Sequence, residues 1–182
     1  MKFTLSLVLF ASMLGSLVAA PGLEGFCGAA LAALMLAIAV TDARRYIIPN
    51  ELSGAAAVLA LVRAFWIGPD AGADAVIWAC VRAAASALPL WGMLIAYRRW
   101  RGREGLGLGD VKLAAVAGAW LGLTTIFAVI ELAALSAIAA YLANAVLHRR
   151  PLRATAALPF GLFLAPSIWL GWLVETLLLF PG

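Results

Sequence analysis

Apolar stretches of roughly 20 residues recur along the whole chain, and they restrict its possible folds more than any other feature. An α-helix needs about 20 consecutive apolar residues to cross the hydrocarbon core of a bilayer. Of the 182 residues, 65% are hydrophobic and 12% are charged, whereas soluble domains have about half apolar and about a quarter charged residues. The chain is therefore expected to lie in a lipid bilayer, with its apolar surface distributed over several spans.

We predict an all-α, polytopic membrane helix bundle with about seven spans. Membrane β-barrels require short strands in which apolar and polar residues alternate, and these stretches show no such alternation. Helices, by contrast, satisfy every backbone polar group within one segment. The predicted segments are 3–20, 23–40, 52–67, 75–97, 111–121, 124–147 and 157–180.

The first apolar segment has two interpretations. One lysine, an apolar stretch and a Val-Ala-Ala ending are also typical of a signal peptide, and its removal would leave six spans. Pro21, at what would be the first mature position, argues against cleavage. We therefore divide the chain into an extra N-terminal span or signal anchor at 1–22 and a membrane domain at 23–182.

The basic residues predict the orientation of the bundle. If the chain crosses seven times, 11 of the 13 Lys and Arg residues fall on one side, which the positive-inside rule assigns to the cytoplasm. Contact with anionic lipid then accounts for the net charge of +4, and nucleic acid is not an expected partner. The residues are Lys2, Arg44, Arg45, Arg98, Arg99, Arg101, Arg103, Lys112, Arg149, Arg150 and Arg153.

Asp42 ends the second apolar segment at the cytoplasmic boundary. Pro49 bars a continuous helix into the third segment, and Asn50 can cap the helix that follows. Taken alone, Asp42 is better explained as a solvated loop acid that pairs with Arg44 or Arg45.

Asp110 opens the fifth segment, at the same predicted face of the membrane. It follows Gly105, Gly107 and Gly109, which alternate with leucines. Such glycines allow close backbone packing or a positive φ, so this loop is able to lie against other helices. Two neighbouring carboxylates at such depth tend to share one proton, which is the state that an aspartyl protease uses to activate water.

The ends of the two helices predict unequal roles for the aspartates. Asp42 follows a helix C-terminus, whose partial negative charge disfavours a carboxylate, and Asp110 lies at a helix N-terminus, which favours one. The shared proton is thus expected mostly on Asp42, with Lys112 as a cation near Asp110.

Two other functions are compatible with intramembrane acids. An ion- or proton-coupled transporter would use Asp42, Asp110 and Glu131 as acids of its pathway. A non-catalytic assembly factor is the second. Against transport, the two aspartates lie at one membrane boundary and not at the midplane.

Three ordered motifs resemble those of the prepilin peptidases, the type IV leader peptidases among the Gly-x-Gly-Asp intramembrane aspartyl proteases. In the first, Asp42 is followed by Ile48-Pro49-Asn50. The second is the run from Gly107 to Lys112, and the third is Leu158-Pro159-Phe160-Gly161. The resemblance extends from about residue 23 to the end of the chain.

This resemblance implies catalysis by Asp42 and Asp110 without a cofactor. The implied supporting residues are Gly107, Gly109, Lys112, Pro49, Asn50, Pro159 and Gly161. The implied substrate is a type IV pilin-like precursor, cut at the cytoplasmic face of a bacterial inner membrane between its basic leader and its hydrophobic helix. The chain has no room for the cysteine-containing insertion of the longer members, so it resembles the short tight-adherence type, and methyltransferase activity is not expected.

Two further expectations concern residues outside these motifs. Cys27 and Cys80 lack the spacing of a metal site and are interpreted as small buried apolar residues. Arg82 and Glu131 have similar predicted depths, and we expect them to face the bundle interior and pair. The alternative is that the Arg82 side chain snorkels towards the outer face.

Overall fold

The structure is a computed structural model that describes residues 2–20, 22–67, 70–101, 107–149 and 158–179. Within these ranges the chain forms seven α-helices and a π-helical turn, with no strand, so the all-α prediction is confirmed. The helices are α1 Lys2–Ala19, α2 Leu23–Arg45, α3 Asn50–Trp66, α4 Ala73–Arg101, α5 Leu108–Trp120, α6 Leu123–Leu147 and α7 Gly161–Val174, and the π-helical turn is Glu175–Leu179.

Four stretches in the described part of the chain are long and apolar enough to cross a membrane. They are Leu23–Arg45, Ala73–Trp100, Leu123–Leu147 and Gly161–Leu178, and a shorter apolar helix covers Thr4–Ala19. The chain is thus a multi-pass membrane protein. Each of the seven predicted segments overlaps one helix. The number of crossings also depends on the shorter helices, whose apolar sequence alone argues that they cross.

Helices α2 and α4 extend past the predicted apolar segments into basic residues. Helix α2 continues to Arg45 and α4 to Arg101. Arginine is a good helix former, and its charge is favourable in the last turn of a helix. Hydropathy therefore marks where the apolar surface ends, and the helix ends later. Arg103, Arg150 and Arg153, which contributed to the predicted orientation, lie outside the described residues.

Helix α5 lies at the centre of the bundle. It has 13 residues, so at about 1.5 Å per residue it is about 20 Å long, shorter than the bilayer core. Helices α3, α4 and α7 pack against it, and its residues from Val111 to Trp120 are nearly all buried. Helix α2 packs against α1, α3 and α7, and α6 packs mainly against α7.

A polar cluster joins four helices at the end of the bundle remote from Asp42. The Arg63 guanidinium of α3 bonds both oxygens of Glu24 at the start of α2, and the closest N–O distance is 2.7 Å. The Trp172 indole N–H of α7 donates to the same carboxylate at 2.9 Å. The Arg63 guanidinium also lies 5.4 Å from the centroid of the Trp120 ring. Both charges are therefore paired, which lowers the cost of burying them in a membrane bundle.

Two expectations about residues outside the motifs are wrong, the pairing of Arg82 with Glu131 and the burial of both cysteines. Glu131 is exposed on α6, and Arg82 instead directs its Nε–H to the Gly118 carbonyl of α5 at 3.4 Å, because α4 packs against α5. Cys80 is exposed and Cys27 is only half-buried, so neither is a buried core residue. Hydropathy predicts depth in the membrane, but not which side of a helix faces its neighbours.

Candidate active site

Asp42 lies in the last turn of α2, and its side chain is buried, with 5% of the residue exposed. Its Oδ2 accepts a hydrogen bond from the backbone N–H of Leu162 in the first turn of α7, at 3.0 Å. Helix N-termini carry unsatisfied N–H groups and a partial positive charge, so this contact favours the carboxylate. In the described part of the chain, Asp42 forms no ion pair with Arg44 or Arg45. Together with the burial of Asp42, this excludes its interpretation as a solvated loop acid.

Gly161 makes the approach of α7 to Asp42 possible. A Cβ at this position would lie 2.9 Å from the Asp42 Oδ2 and 2.8 Å from the Ile48 Cδ1, which is closer than real Cβ atoms approach. Pro159 lies just before the helix, and its carbonyl shares the Leu162 N–H at 3.2 Å. The motif around Pro159 and Gly161 thus lets α7 begin in contact with the Asp42 carboxylate.

Asp110 occupies the first turn of α5 and bonds back to the start of its own helix. The Gly107 N–H donates to the Asp110 Oδ2 at 3.3 Å, and the Asp110 N–H donates to the Gly107 carbonyl at 3.1 Å. Gly107 has a φ of −77°, so the loop does not depend on a positive φ here. Close packing is the reason for Gly109, because a Cβ there would lie 2.9 Å from the Ile48 Cβ.

Ile48 is the common neighbour of both glycine positions. It is buried, and it contacts the start of α5 at Gly109 and the start of α7 at Gly161. One side chain of the α2–α3 loop therefore sets how closely the two helix N-termini approach Asp42. The motif that contains Ile48 was recognised in the sequence, but this packing role was not predicted.

The two aspartates line one cavity of about 570 Å³. Its other walls come mainly from the α2–α3 loop and the start of α5. Tyr46 ends α2 in the left-handed conformation, with a φ of 54°, and its N–H donates to the Asp42 carbonyl at 2.8 Å. This sharp turn directs the loop along the cavity instead of away from it.

Asp110 has an unusual pKa. It lies before the apolar part of α5, which starts at Val111, yet it is largely shielded from solvent. Burial and then the negative charge of Asp42 raise the pKa of Asp110 to about 6, and the hydrogen bond from Gly107 opposes this shift. The two carboxyl groups are thus close enough for the ionisation of one to disfavour that of the other, as expected for a pair that shares a proton.

Asn50 and Lys112 connect the two sides of the cavity. The Lys112 ammonium donates to the Asn50 side-chain oxygen at 2.6 Å and so joins α3 to α5. The predicted cap at Asn50 is wrong, because α3 begins at Asn50 and Pro49 precedes it as the N-cap residue without a side-chain bond. Within the described ranges, no cluster of three or more His, Cys, Asp or Glu residues has the arrangement of a metal site.

The model of the type IV leader peptidase family matches residues 29–143. This range contains both aspartates, Pro49, Asn50 and the run from Gly107 to Lys112. The chain belongs to the type IV leader peptidase family.

Several relatives in this family are named prepilin leader peptidase/N-methyltransferase. The protein of Xanthomonas campestris is 28% identical over 81% of this chain and 50% of its own length. That of Aeromonas hydrophila is 30% identical over 85% of this chain and 51% of its own length. That of Dickeya chrysanthemi is 34% identical over 91% of this chain and 56% of its own length. The chain therefore spans about half the length of the curated relatives it matches. No solved structure matches it.

The structure brings together all nine residues that the motifs singled out, in or beside one site. The backbone N–H of Leu162 is the member of this site that sequence reasoning missed. A backbone donor leaves no residue-type signal, and its only trace is the helix start that follows Pro159 and Gly161.

Proposed function

We propose that this chain is an aspartyl endopeptidase that removes the basic leader of a type IV pilin-like precursor. The observation that carries the proposal is the shared cavity of Asp42 and Asp110, in which each carboxylate accepts a backbone N–H from the start of a helix. The family of the chain and the names of its relatives support the same activity. A transporter would need its acidic residues along one path through the membrane. Glu131 is exposed on α6, which is far from this cavity in sequence and packs mainly against α7.

In the proposed reaction the two aspartates act on one water molecule. The raised pKa of Asp110 favours the proton on this residue, and the α7 N-terminus favours the carboxylate form of Asp42. Asp42 then takes a proton from water, the hydroxide adds to the scissile carbonyl carbon, and Asp110 protonates the carbonyl oxygen. Asp42 then gives its proton to the leaving nitrogen as the C–N bond breaks, and one hydroxyl of the tetrahedral intermediate returns its proton to Asp110 as the new carboxyl group forms. This assignment reverses the one that the ends of α2 and α5 alone predict, because α7 supplies the positive end nearest Asp42.

We further propose that the site opens at the cytoplasmic face of a bacterial inner membrane. Arg44 and Arg45 lie two and three residues after Asp42, and Lys112 lies two residues after Asp110. Such basic residues at the ends of spans favour the cytoplasmic side and contact with anionic lipid. The division into an N-terminal span at 1–22 and a membrane domain at 23–182 also remains a proposal. In the structure the first helix packs on that domain, where the Trp169 indole N–H donates to the Ser16 hydroxyl at 2.9 Å.

The test is cleavage of a pilin-like precursor by the purified chain in lipid nanodiscs. We expect one cut between the basic leader and the apolar helix, and no cut with Asp42→Asn or Asp110→Asn. Glu131→Gln is the matched control, because transport would require this acid and peptide cleavage would not. Cleavage by either aspartate variant at more than background rate, or no cleavage by the unmodified chain, would overturn the proposal.

A further inference from the structure

A second cavity begins where the catalytic cavity ends. It has a volume of about 420 Å³ and shares Asn50 and Lys112 with the catalytic cavity. Its walls come from α3 and α4, and α5 forms its floor. The two cavities therefore adjoin at the Asn50 and Lys112 pair.

The groove changes from polar to apolar along its length. Asn50, Ser53 and Lys112 lie at the end shared with the catalytic cavity, and the Ser53 hydroxyl is occupied by bonds to the carbonyls of Pro49 and Asn50. Leu61 and Cys80 lie on its apolar part. Along α3, Leu61 lies 11 residues after Asn50, which corresponds to about 16 Å, or about three helical turns.

Small residues line the middle of the groove, at Gly54 and Ala57 on α3 and at Ala115 on α5. Side chains of this size let the backbone of another helix approach closely, which is the main source of helix association in lipid. The groove between α1 and α2, of about 360 Å³, also reaches the catalytic cavity, at Thr41, but larger side chains such as Leu9 and Leu36 line it. Those side chains prevent a comparably close approach.

We propose that the groove between α3 and α4 binds the apolar helix of the precursor, directly C-terminal to the bond that is cut. This proposal rests on the proposed function, and it adds the surface that recognises the substrate. A leader peptidase substrate carries a polar cleavage region followed by an apolar helix, which is the same order of polarity that the two cavities present. The bilayer-embedded helix then positions the scissile bond beside Asp42 and Asp110.

The native Cys80 allows a direct test of the bound position. In the Asp42→Asn/Asp110→Asn variant the precursor stays intact, so binding is measured independently of cleavage. A precursor with single cysteines along its apolar helix should form a disulfide with Cys80 from positions about 11 residues into the helix, with helical periodicity. The matched control is Cys80→Ser/Gly92→Cys, which moves the thiol to another exposed site on α4 outside the groove and should form no such adduct.

A second pair of variants tests whether the precursor binds only when the groove is unobstructed. A Cβ at Gly54 or at Gly92 would meet nothing within 4 Å, so both positions have open space where a leucine side chain would begin. Gly54→Leu should raise the apparent KM for the precursor about tenfold with little change in kcat, and Gly92→Leu should leave both unchanged.

Three results would overturn the proposal. Equal kinetics of Gly54→Leu and Gly92→Leu would show that the groove holds only lipid. Adducts that form as readily with Cys80→Ser/Gly92→Cys, or that form instead with a cysteine placed at Ala37 in the α1–α2 groove, would place the substrate elsewhere. A failed peptidase proposal is distinguishable, because the unmodified chain would then leave the precursor uncut while the cross-linking result stands by itself.

Discussion

The Asp42 carboxylate and the Leu162 backbone N–H, 120 residues apart in sequence, form a hydrogen bond of 3.0 Å. This bond joins the end of α2 to the start of α7, so Asp42 lies between two helix termini of opposite polarity. Its own helix presents carbonyl groups, and α7 presents N–H groups. The environment of Asp42 is therefore set by the last helix of the chain as much as by its own.

Gly161→Ala should disrupt this relationship while the bundle stays folded. The added Cβ would lie under 3 Å from the Asp42 carboxylate and from Ile48, so α7 must move away by a fraction of an ångström or more. We expect the cleavage rate to fall about 100-fold, the effect of a displacement of about 1 Å in an active site. Gly92→Ala is the control, since a Cβ there meets nothing within 4 Å, and unaltered cleavage by Gly161→Ala would contradict the packing argument.

The pH dependence of kcat/KM should reveal which role Asp110 has. Its pKa is raised to about 6, so this group titrates within the accessible range. If Asp110 donates the proton, as proposed, kcat/KM falls as the pH rises through about 6. A profile that instead rises with pH through the same value would make Asp110 the base and restore the assignment predicted from the helix ends.

The same pKa predicts a pH dependence of stability. The Asp110 pKa is raised from 3.8 to about 6 in the folded chain, so between these values the folded state binds more protons than the unfolded state. Its contribution to stability is therefore present at acidic pH and is lost as the pH rises through this interval. Thermal unfolding in detergent should show a falling slope from pH 4 to pH 6 that is shallower in Asp110→Asn, and an equal slope in both proteins would refute this.

The positions of the helices and the neighbourhood of the two aspartates could be predicted from the sequence, because both depend on hydropathy and on the alternation of loops between faces. The contacts of Arg82 could not, because depth along α4 does not specify which side of α4 faces α5. The pairing of Glu24 with Arg63 was also missed, although opposite charges at neighbouring ends of α2 and α3 were a usable signal. The donor at Leu162 is a backbone group, so only the helix start after Gly161 indicated it.

The bond between Lys112 and Asn50 should appear as coupling between the two residues. Each single substitution, Lys112→Met or Asn50→Ala, removes the same 2.6 Å contact between α3 and α5. The double variant should therefore be no more impaired in kcat/KM than the worse single variant. The measurement is a double-mutant cycle on precursor cleavage, and additive losses would mean that the two side chains act independently.

Removal of one partner from the Glu24–Arg63 pair should destabilise the bundle. The remaining charge would be left without its bidentate partner beside Trp172 and Trp120, at a cost of about 2 kcal/mol. Glu24→Gln and Arg63→Met should each lower the melting temperature in nanodiscs. The double variant should lose less than the sum of the two, and exposed Glu131→Gln serves as the control. Additive losses would show that the pair is not coupled.

The Glu24–Arg63 pair also has a consequence for the order in which the chain enters the membrane. In the proposed orientation, α3 must carry Arg63 through the hydrocarbon, where an unpaired arginine costs about 3 kcal/mol on insertion scales. Glu24 precedes Arg63 by 39 residues and lies at the start of α2, so during synthesis it reaches the far side once α1 has crossed, before α3 carries the base there. We therefore expect the neutralised pair to oppose any return of α3 and so to make its translocation directional.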